Sequence, residues 1–144
     1  MATTDALAAD LRSFTPTGNE YDDVEKLRGL ITQWAGEPEA ARAALLPLVF
    51  GIFERNPDNA EMGIPGPVVH ALEEVGGYEQ ELAQSLRRMP SHYGLWMANR
   101  ILNALEDERE RAPWMDLLRQ AAKDARISSE LRDEAGEFLE FQEE

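Results

Sequence analysis

Apolar positions along this chain recur at steps of three and four residues and nothing reads as an alternating strand, so the pattern predicts helices rather than half-buried strands. Leu7 and Leu11 mark a first helix from about Thr4 to Phe14, which the Thr-Pro-Thr-Gly run at 15–18 interrupts. Val24, Leu27, Leu30, Ile31 and Trp34 share one face of a second helix that stops near Gly36. Asn19 suits its N-cap, with Glu20, Asp22 and Asp23 in a first turn where the helix dipole favours anions. Pro38 fits the first turn of a third, carrying Leu45, Leu46, Val49, Phe50 and Phe53. Pro47 inside it predicts a kink, because proline removes a donor and crowds the preceding turn. The Pro, Gly and Asn content of NPDNAEMGIPGP, residues 56–67, marks the longest loop.

The second half repeats the alternation of helix and short break. A helix with Val68, Val69, Leu72 and Val75 begins at Pro67 and ends at Gly76-Gly77; one with Leu82 and Leu86 spans 78–89 and is ended by Pro90. Ser91 caps a helix over 92–110, another begins at Pro113 with Trp114, Leu117, Leu118 and Ala121, and the last follows Ser128 or Ser129 with Leu131, Ala135, Phe138 and Leu139. Short connections make neighbours antiparallel, and the pairs must stack to bury their second faces. The expectation is one all-α domain over residues 1–144, either a short HEAT-like α-solenoid or an irregular antiparallel helical bundle. Residues 1–18 are expected as a loosely attached N-terminal helix, and no repeat of fixed period decides between the two architectures.

One helix carries more than its packing needs. In SHYGLWMANRILNALED, residues 91–107, Leu95, Ala98, Leu102 and Leu105, flanked by Ile101, form the core-facing stripe. His92, Trp96, Asn99 and Asn103 follow the same steps on another face, with Met97 and Arg100 between. Asparagine competes with the backbone for hydrogen bonds and is unfavourable inside helices, so two in one lane need a reason. They could tie down a neighbouring segment such as the 56–67 loop. Alternatively, with Trp and Arg they form an interface hot spot.

Charge narrows the function classes. The chain has 28 acidic and 14 basic side chains and a formal net charge of −14, spread over both halves. Such a field repels phosphate backbones and speeds encounter with a cationic protein, so no nucleic-acid partner is expected. Acids bunch at Glu20, Asp22, Asp23 and Glu25 and again at Glu106, Asp107, Glu108 and Glu110, patterns that solvated helix faces also produce. There are no cysteines, which excludes disulfides, thiolate metal sites and cysteine nucleophiles. The N-terminus lacks the pattern of a signal peptide, and AALLPLVFGIF is too short to cross a bilayer, so a cytoplasmic protein with no membrane partner is expected. His70 and Glu73 lie one turn apart but lack further ligands, and no phosphate loop, nucleophile elbow or zinc-protease motif occurs. No cofactor, no metal and no enzymatic activity are expected.

The run GIPGPVVHALEEVGGYEQELAQSLRRMPSHYGLWMANRILNA resembles one found in small helical immunity proteins of bacterial polymorphic-toxin and contact-dependent competition systems. The matching features are the GIPGP turn with His70 and Glu73, the Tyr-Glu pair at 78–79, and the L-W-M-x-N-R-x-L-N core at 95–103, together about the middle third of the chain. The resemblance implies a cytosolic protein that binds a cognate toxin, expected to be basic, and neutralises it by steric and electrostatic occlusion. It also cautions that a recurring motif can be scaffold, since such proteins diversify their toxin-facing surface. Candidate contacts are Tyr21, Asp22, Asp23, Tyr78, Trp96, Asn99, Arg100 and Glu106. The alternative is a HEAT-like scaffold or adaptor for a cellular partner that is not a toxin.

Overall fold

The computed structural model describes the backbone of residues 2–59 and 67–143, and among these all regular structure is helical. In chain order the elements are α1 (Ala2–Ser13), α2 (Glu20–Ala35), α3 (Glu39–Arg55), α4 (Pro67–Val75), α5 (Glu79–Arg88), α6 (His92–Ala104), α7 (Glu108–Ala121) and α8 (Ser129–Glu143). Most of the predicted long loop, residues 60–66, lies outside the described residues.

Helices two apart in sequence stack on one another. α1 lies on α3, α3 on α5 and α5 on α7, while α2 lies on α4 and α6 on α8. Of the successive helices, α1 and α2, α2 and α3, α5 and α6, α6 and α7, and α7 and α8 also pack together, the last pair most extensively. Two such rows arise when each helical hairpin buries its second face on the next, as in a short α-solenoid. The odd-numbered row is continuous. In the even-numbered row, α4 and α6 lack the close packing that joins α2 to α4 and α6 to α8 among the described residues.

The core between the rows follows the apolar periodicity. Leu27, Leu30, Ile31 and Trp34 of α2 are buried, and the Trp34 indole N–H donates to the Arg42 carbonyl at 3.0 Å, satisfying its one polar atom. Phe53 meets Phe50 edge-on at 5.9 Å and stacks on Tyr93 of α6 at 5.1 Å, joining α3 to α6. α6 buries Tyr93, Gly94, Leu95, Met97, Ala98 and Leu102, a wider surface than one stripe, because α3, α5, α7 and α8 all pack against it. At Gly94 a Cβ would fall 2.9 Å from Ser91 Oγ and 3.0 Å from Leu86 Cδ2, so this position needs glycine for close approach of α5.

Three expectations change. α1 is not loosely attached: Leu7, Leu11 and Phe14 are buried to 1% exposure or less, and α1 packs on both α2 and α3. The helix expected over 92–110 ends at Ala104, because Asp107 starts a new helix by accepting the Arg109 N–H at 2.7 Å. Pro113 therefore lies inside α7 rather than at its start, on an exposed position where the carbonyl it leaves free can be hydrated. α3 likewise runs through the exposed Pro47.

Arginines complete the helix ends. The last carbonyls of a helix have no intrahelical donor and carry the negative end of the dipole. Arg55 donates to the Leu11 and Phe14 carbonyls at the end of α1, and Arg42 to the Glu37 carbonyl just after α2. Arg126 reaches the Arg87 and Arg88 carbonyls ending α5, and Arg111 those of Leu102 and Leu105 ending α6. Arg132 binds the Asp124 and Ile127 carbonyls in the turn before α8.

Candidate partner-binding groove

The interruption between α4 and α6 opens a groove of about 610 Å³. Gly76 and Gly77, at φ +78° and +71°, turn the chain out of α4 in a conformation that side-chain-bearing residues rarely adopt. That turn delivers Tyr78 and Glu79 to one wall, beside Glu73 of α4. The opposite wall is the end of α6: Arg100, Ile101, Asn103, Ala104 and Leu105. A bidentate pair spans the two helices, Arg100 Nε to Glu73 Oε2 at 2.7 Å and Nη2 to Oε1 at 3.0 Å. Arg100 also lies over the Trp96 ring, 5.9 Å from its centroid, which fixes the guanidinium along the helix.

Tyr78 is 7% exposed, and its hydroxyl makes no hydrogen bond among the described residues. Burial pushes the phenol up to about 12, and Glu73 and Glu79 add to the shift, with Arg100 opposing them. The groove's lining carries two carboxylates, Glu73 and Glu79, against the single guanidinium of Arg100. It has an apolar wall in Ile101, Ala104 and Leu105, and in Glu79 an exposed carboxylate with no ion pair among the described residues.

The asparagine lane meets α8. Gln142 Nε2 donates to Asn99 Oδ1 at 2.7 Å and Asn103 Oδ1 at 2.8 Å, and Gln142 accepts from Arg111 Nη2 at 2.9 Å through Oε1. At the other end of α6, His92 Nδ1 lies 2.8 Å from Glu134 Oε1, and the His92 backbone N–H donates to the Pro57 carbonyl. The side chains of this lane thus hold the C-terminal helix, while the backbone at His92 holds the start of the loop. Trp96 is half-buried against the core.

The other sequence candidates separate. Tyr21 is 74% exposed and Asp22 is exposed, both in the first turn of α2. Asp23 is corrected. It is 4% exposed, and its carboxylate accepts from the Thr17 N–H at 2.8 Å, the Thr17 hydroxyl at 2.9 Å and the Gly18 N–H at 3.2 Å. Those donors hold its pKa below the ordinary 3.8, the Thr17 N–H first, against the opposing effect of burial. It orders the α1–α2 connection and is not a surface contact. Glu106 is exposed in the α6–α7 connection, next in sequence to Leu105. Leu105, expected in the core stripe, is half-buried on the groove wall because α6 ends one residue before it. Glu79, Ile101 and Ala104 also line the groove; their signal was adjacency to Tyr78 and Arg100, which periodicity does not rank.

The charge distribution follows from the helix ends. Arg42, Arg55, Arg111 and Arg132 are turned onto carbonyls and Arg28, Arg88, Arg100, Arg119 and Arg126 are paired with carboxylates, which leaves Arg12, Lys26, Arg87, Arg109 and Lys123 exposed with no ion pair among the described residues. Exposed carboxylates without an ion pair are more numerous. On α8, Glu130, Asp133, Glu137 and Glu140 are exposed at steps of three and four, with no ion pair among the described residues, and Phe141 beside them is 58% exposed. A second cavity of about 530 Å³ lies on the other side of the Gly76-Gly77 turn, with Trp34, Leu46 and Val75 among its lining and Glu39 and Glu81 at its polar part. Both oxygens of Glu73 face Arg100 and His70 is exposed, so that pair does not form a metal site; among the described residues no group of three His, Asp or Glu side chains is placed to hold one. No helix among them is long and apolar enough to cross a membrane.

Comparison with known proteins identifies no relative: no protein-family model, no curated protein and no solved structure matches the chain.

Proposed function

We propose that this protein is a non-catalytic, stoichiometric binding protein for a basic protein partner, and specifically an immunity protein that neutralises a cognate bacterial toxin by covering its active surface. The observation that carries the reading is the partition of charge. Arg42, Arg55, Arg111 and Arg132 are turned inward onto helix carbonyls and five further arginines are matched by carboxylates in surface ion pairs, while exposed acids stand with exposed aromatic residues at Glu20, Tyr21 and Asp22 and along α8 to Phe141. A surface of one sign accelerates association with a partner of the opposite sign, and exposed aromatic rings supply the contact area that charge alone does not. The resemblance of residues 63–104 to small helical immunity proteins supplies the toxin as the kind of partner.

Co-expression with the product of the neighbouring gene tests the proposal. An immunity protein restores growth of cells poisoned by that product and co-purifies with it in a fixed ratio. Loss of both rescue and co-purification defeats the toxin reading; capture of a harmless cellular protein instead would make this chain an adaptor.

A further inference from the structure

We propose that the groove between α4 and α6 is the anchor site for a lysine or arginine side chain presented by the protein partner, an inference that rests on the protein-binding reading above. Three independent features place the occupant. Tyr78 lines the groove with its residue 93% buried, and its hydroxyl has no hydrogen-bond partner among the described residues; since no buried side-chain oxygen there is left without a partner, this oxygen is open to the groove and free to accept. Glu79 stands at the same wall as an exposed carboxylate with no counter-ion, whereas the neighbouring Glu73 is already neutralised by Arg100. Ile101, Ala104 and Leu105 make an apolar wall opposite them.

A long cationic side chain matches this arrangement in order. Its methylene stem covers the Ile101–Leu105 wall, and its terminal N–H groups donate to the Tyr78 oxygen and the Glu79 carboxylate. An acidic side chain would face Glu79 and an overall negative groove. An aliphatic one would leave both oxygens without the donor they lack. Preference for a cation follows from this difference in unpaired groups rather than from total area.

The test uses the whole chain, labelled with nitrogen-15, and three blocked tripeptides: acetyl-Gly-Arg-Gly-amide, its norleucine analogue and its glutamate analogue. The arginine peptide should produce saturable amide shifts confined to residues 73–79 and 100–105, and the other two should not. Glu79→Gln should weaken that binding about tenfold and Tyr78→Phe by a smaller factor, whereas Glu130→Gln on α8 removes an equal charge and should change it by less than about twofold. Equal effects of Glu79→Gln and Glu130→Gln, shifts spread over the whole acidic surface, or equal binding of the norleucine peptide would overturn the proposal. The same variants separate it from the broader reading. A partner complex that forms and is indifferent to both Glu79→Gln and Tyr78→Phe defeats the groove and leaves protein binding intact. Saturable, arginine-selective peptide binding without any partner complex supports the groove and defeats the immunity reading alone.

Discussion

Replacing Arg111 by alanine removes the fastening of three helices at once. Its Nη1 donates to the Leu102 and Leu105 carbonyls at the end of α6, and its Nη2 donates to the carbonyl and the amide oxygen of Gln142 on α8. Gln142 in turn donates to Asn99 and Asn103, so the loss reaches both walls of the lane. A charged donor to a neutral acceptor stabilises by about 1.5–3 kcal/mol when buried, but these groups are only partly buried and water can replace some of the bonds. The net loss should be roughly 2–3 kcal/mol for the whole fork, including the packing of its stem. For a chain of this size that lowers Tm by about 6–12 °C and, with a urea slope of about 2 kcal/mol/M, lowers the midpoint by about 1–1.5 M. Circular dichroism during thermal and urea unfolding reads both quantities. Arg109→Ala is the control: Arg109 has no side-chain partner among the described residues and sits in the first turn of α7, where the dipole disfavours a cation, so its removal should be neutral or slightly stabilising. A double-mutant cycle of Arg111→Ala with Gln142→Ala should show coupling of about 1 kcal/mol. If Arg111→Ala costs less than about 0.5 kcal/mol, or the two substitutions are additive, arginine capping does not hold α6, α7 and α8 together and the inward use of arginine loses its energetic basis.

Further outcomes follow from individual contacts. Asp23→Asn should destabilise at neutral pH by about 1–2 kcal/mol, since a neutral amide accepts less strongly from the N–H groups of Thr17 and Gly18. Because the folded pKa of Asp23 lies below its ordinary 3.8, its contribution is complete above that value and disappears as pH falls through the lower folded one; the gap between wild type and variant in urea titrations should therefore close in acid. Gly94→Ala should destabilise by about 1–2 kcal/mol despite alanine's better helix propensity, because Ser91 Oγ is fixed by its capping bond to the Gly94 N–H; a gain in Tm would show that Ser91 and Leu86 yield easily. Asn99→Ala should cost only about 1 kcal/mol, because its oxygen accepts from another side chain and that donor keeps a second acceptor in Asn103; a loss above about 3 kcal/mol would mean that Asn99 satisfies a more deeply buried group.

Most of the fold was legible because helices announce themselves locally. Asn19 and Ser91 cap through their own side chains, and the apolar steps of α2, α4 and α5 match their buried faces except at Val24, which is half-buried, and Val75, which is 38% exposed. Errors arose where one local signal outweighed another. Pro113 looked like a helix start because proline is favoured there, yet Asp107 is the stronger cap and an exposed proline can be tolerated further along. Leu105 continued a convincing stripe, but the helix ended before it and left it on a groove wall. Asp23 is indistinguishable in sequence from Asp22, and only the fold of Thr17 and Gly18 around it separates a buried acceptor that orders the α1–α2 connection from a surface acid. The groove itself could not be read from the chain. It exists because α4 and α6 fail to close, a property of how two rows of helices stack rather than of any residue pattern.

The most direct test of binding through an acidic surface is the association rate with the basic partner, measured by stopped-flow fluorescence as salt is raised from about 0.02 to about 0.5 M, a range over which screening lengths shrink from tens of ångströms to a few. The outward carboxylates predict that association slows by at least roughly tenfold across that range while dissociation changes little. An association rate that does not depend on salt, in a complex that nevertheless forms, would contradict it.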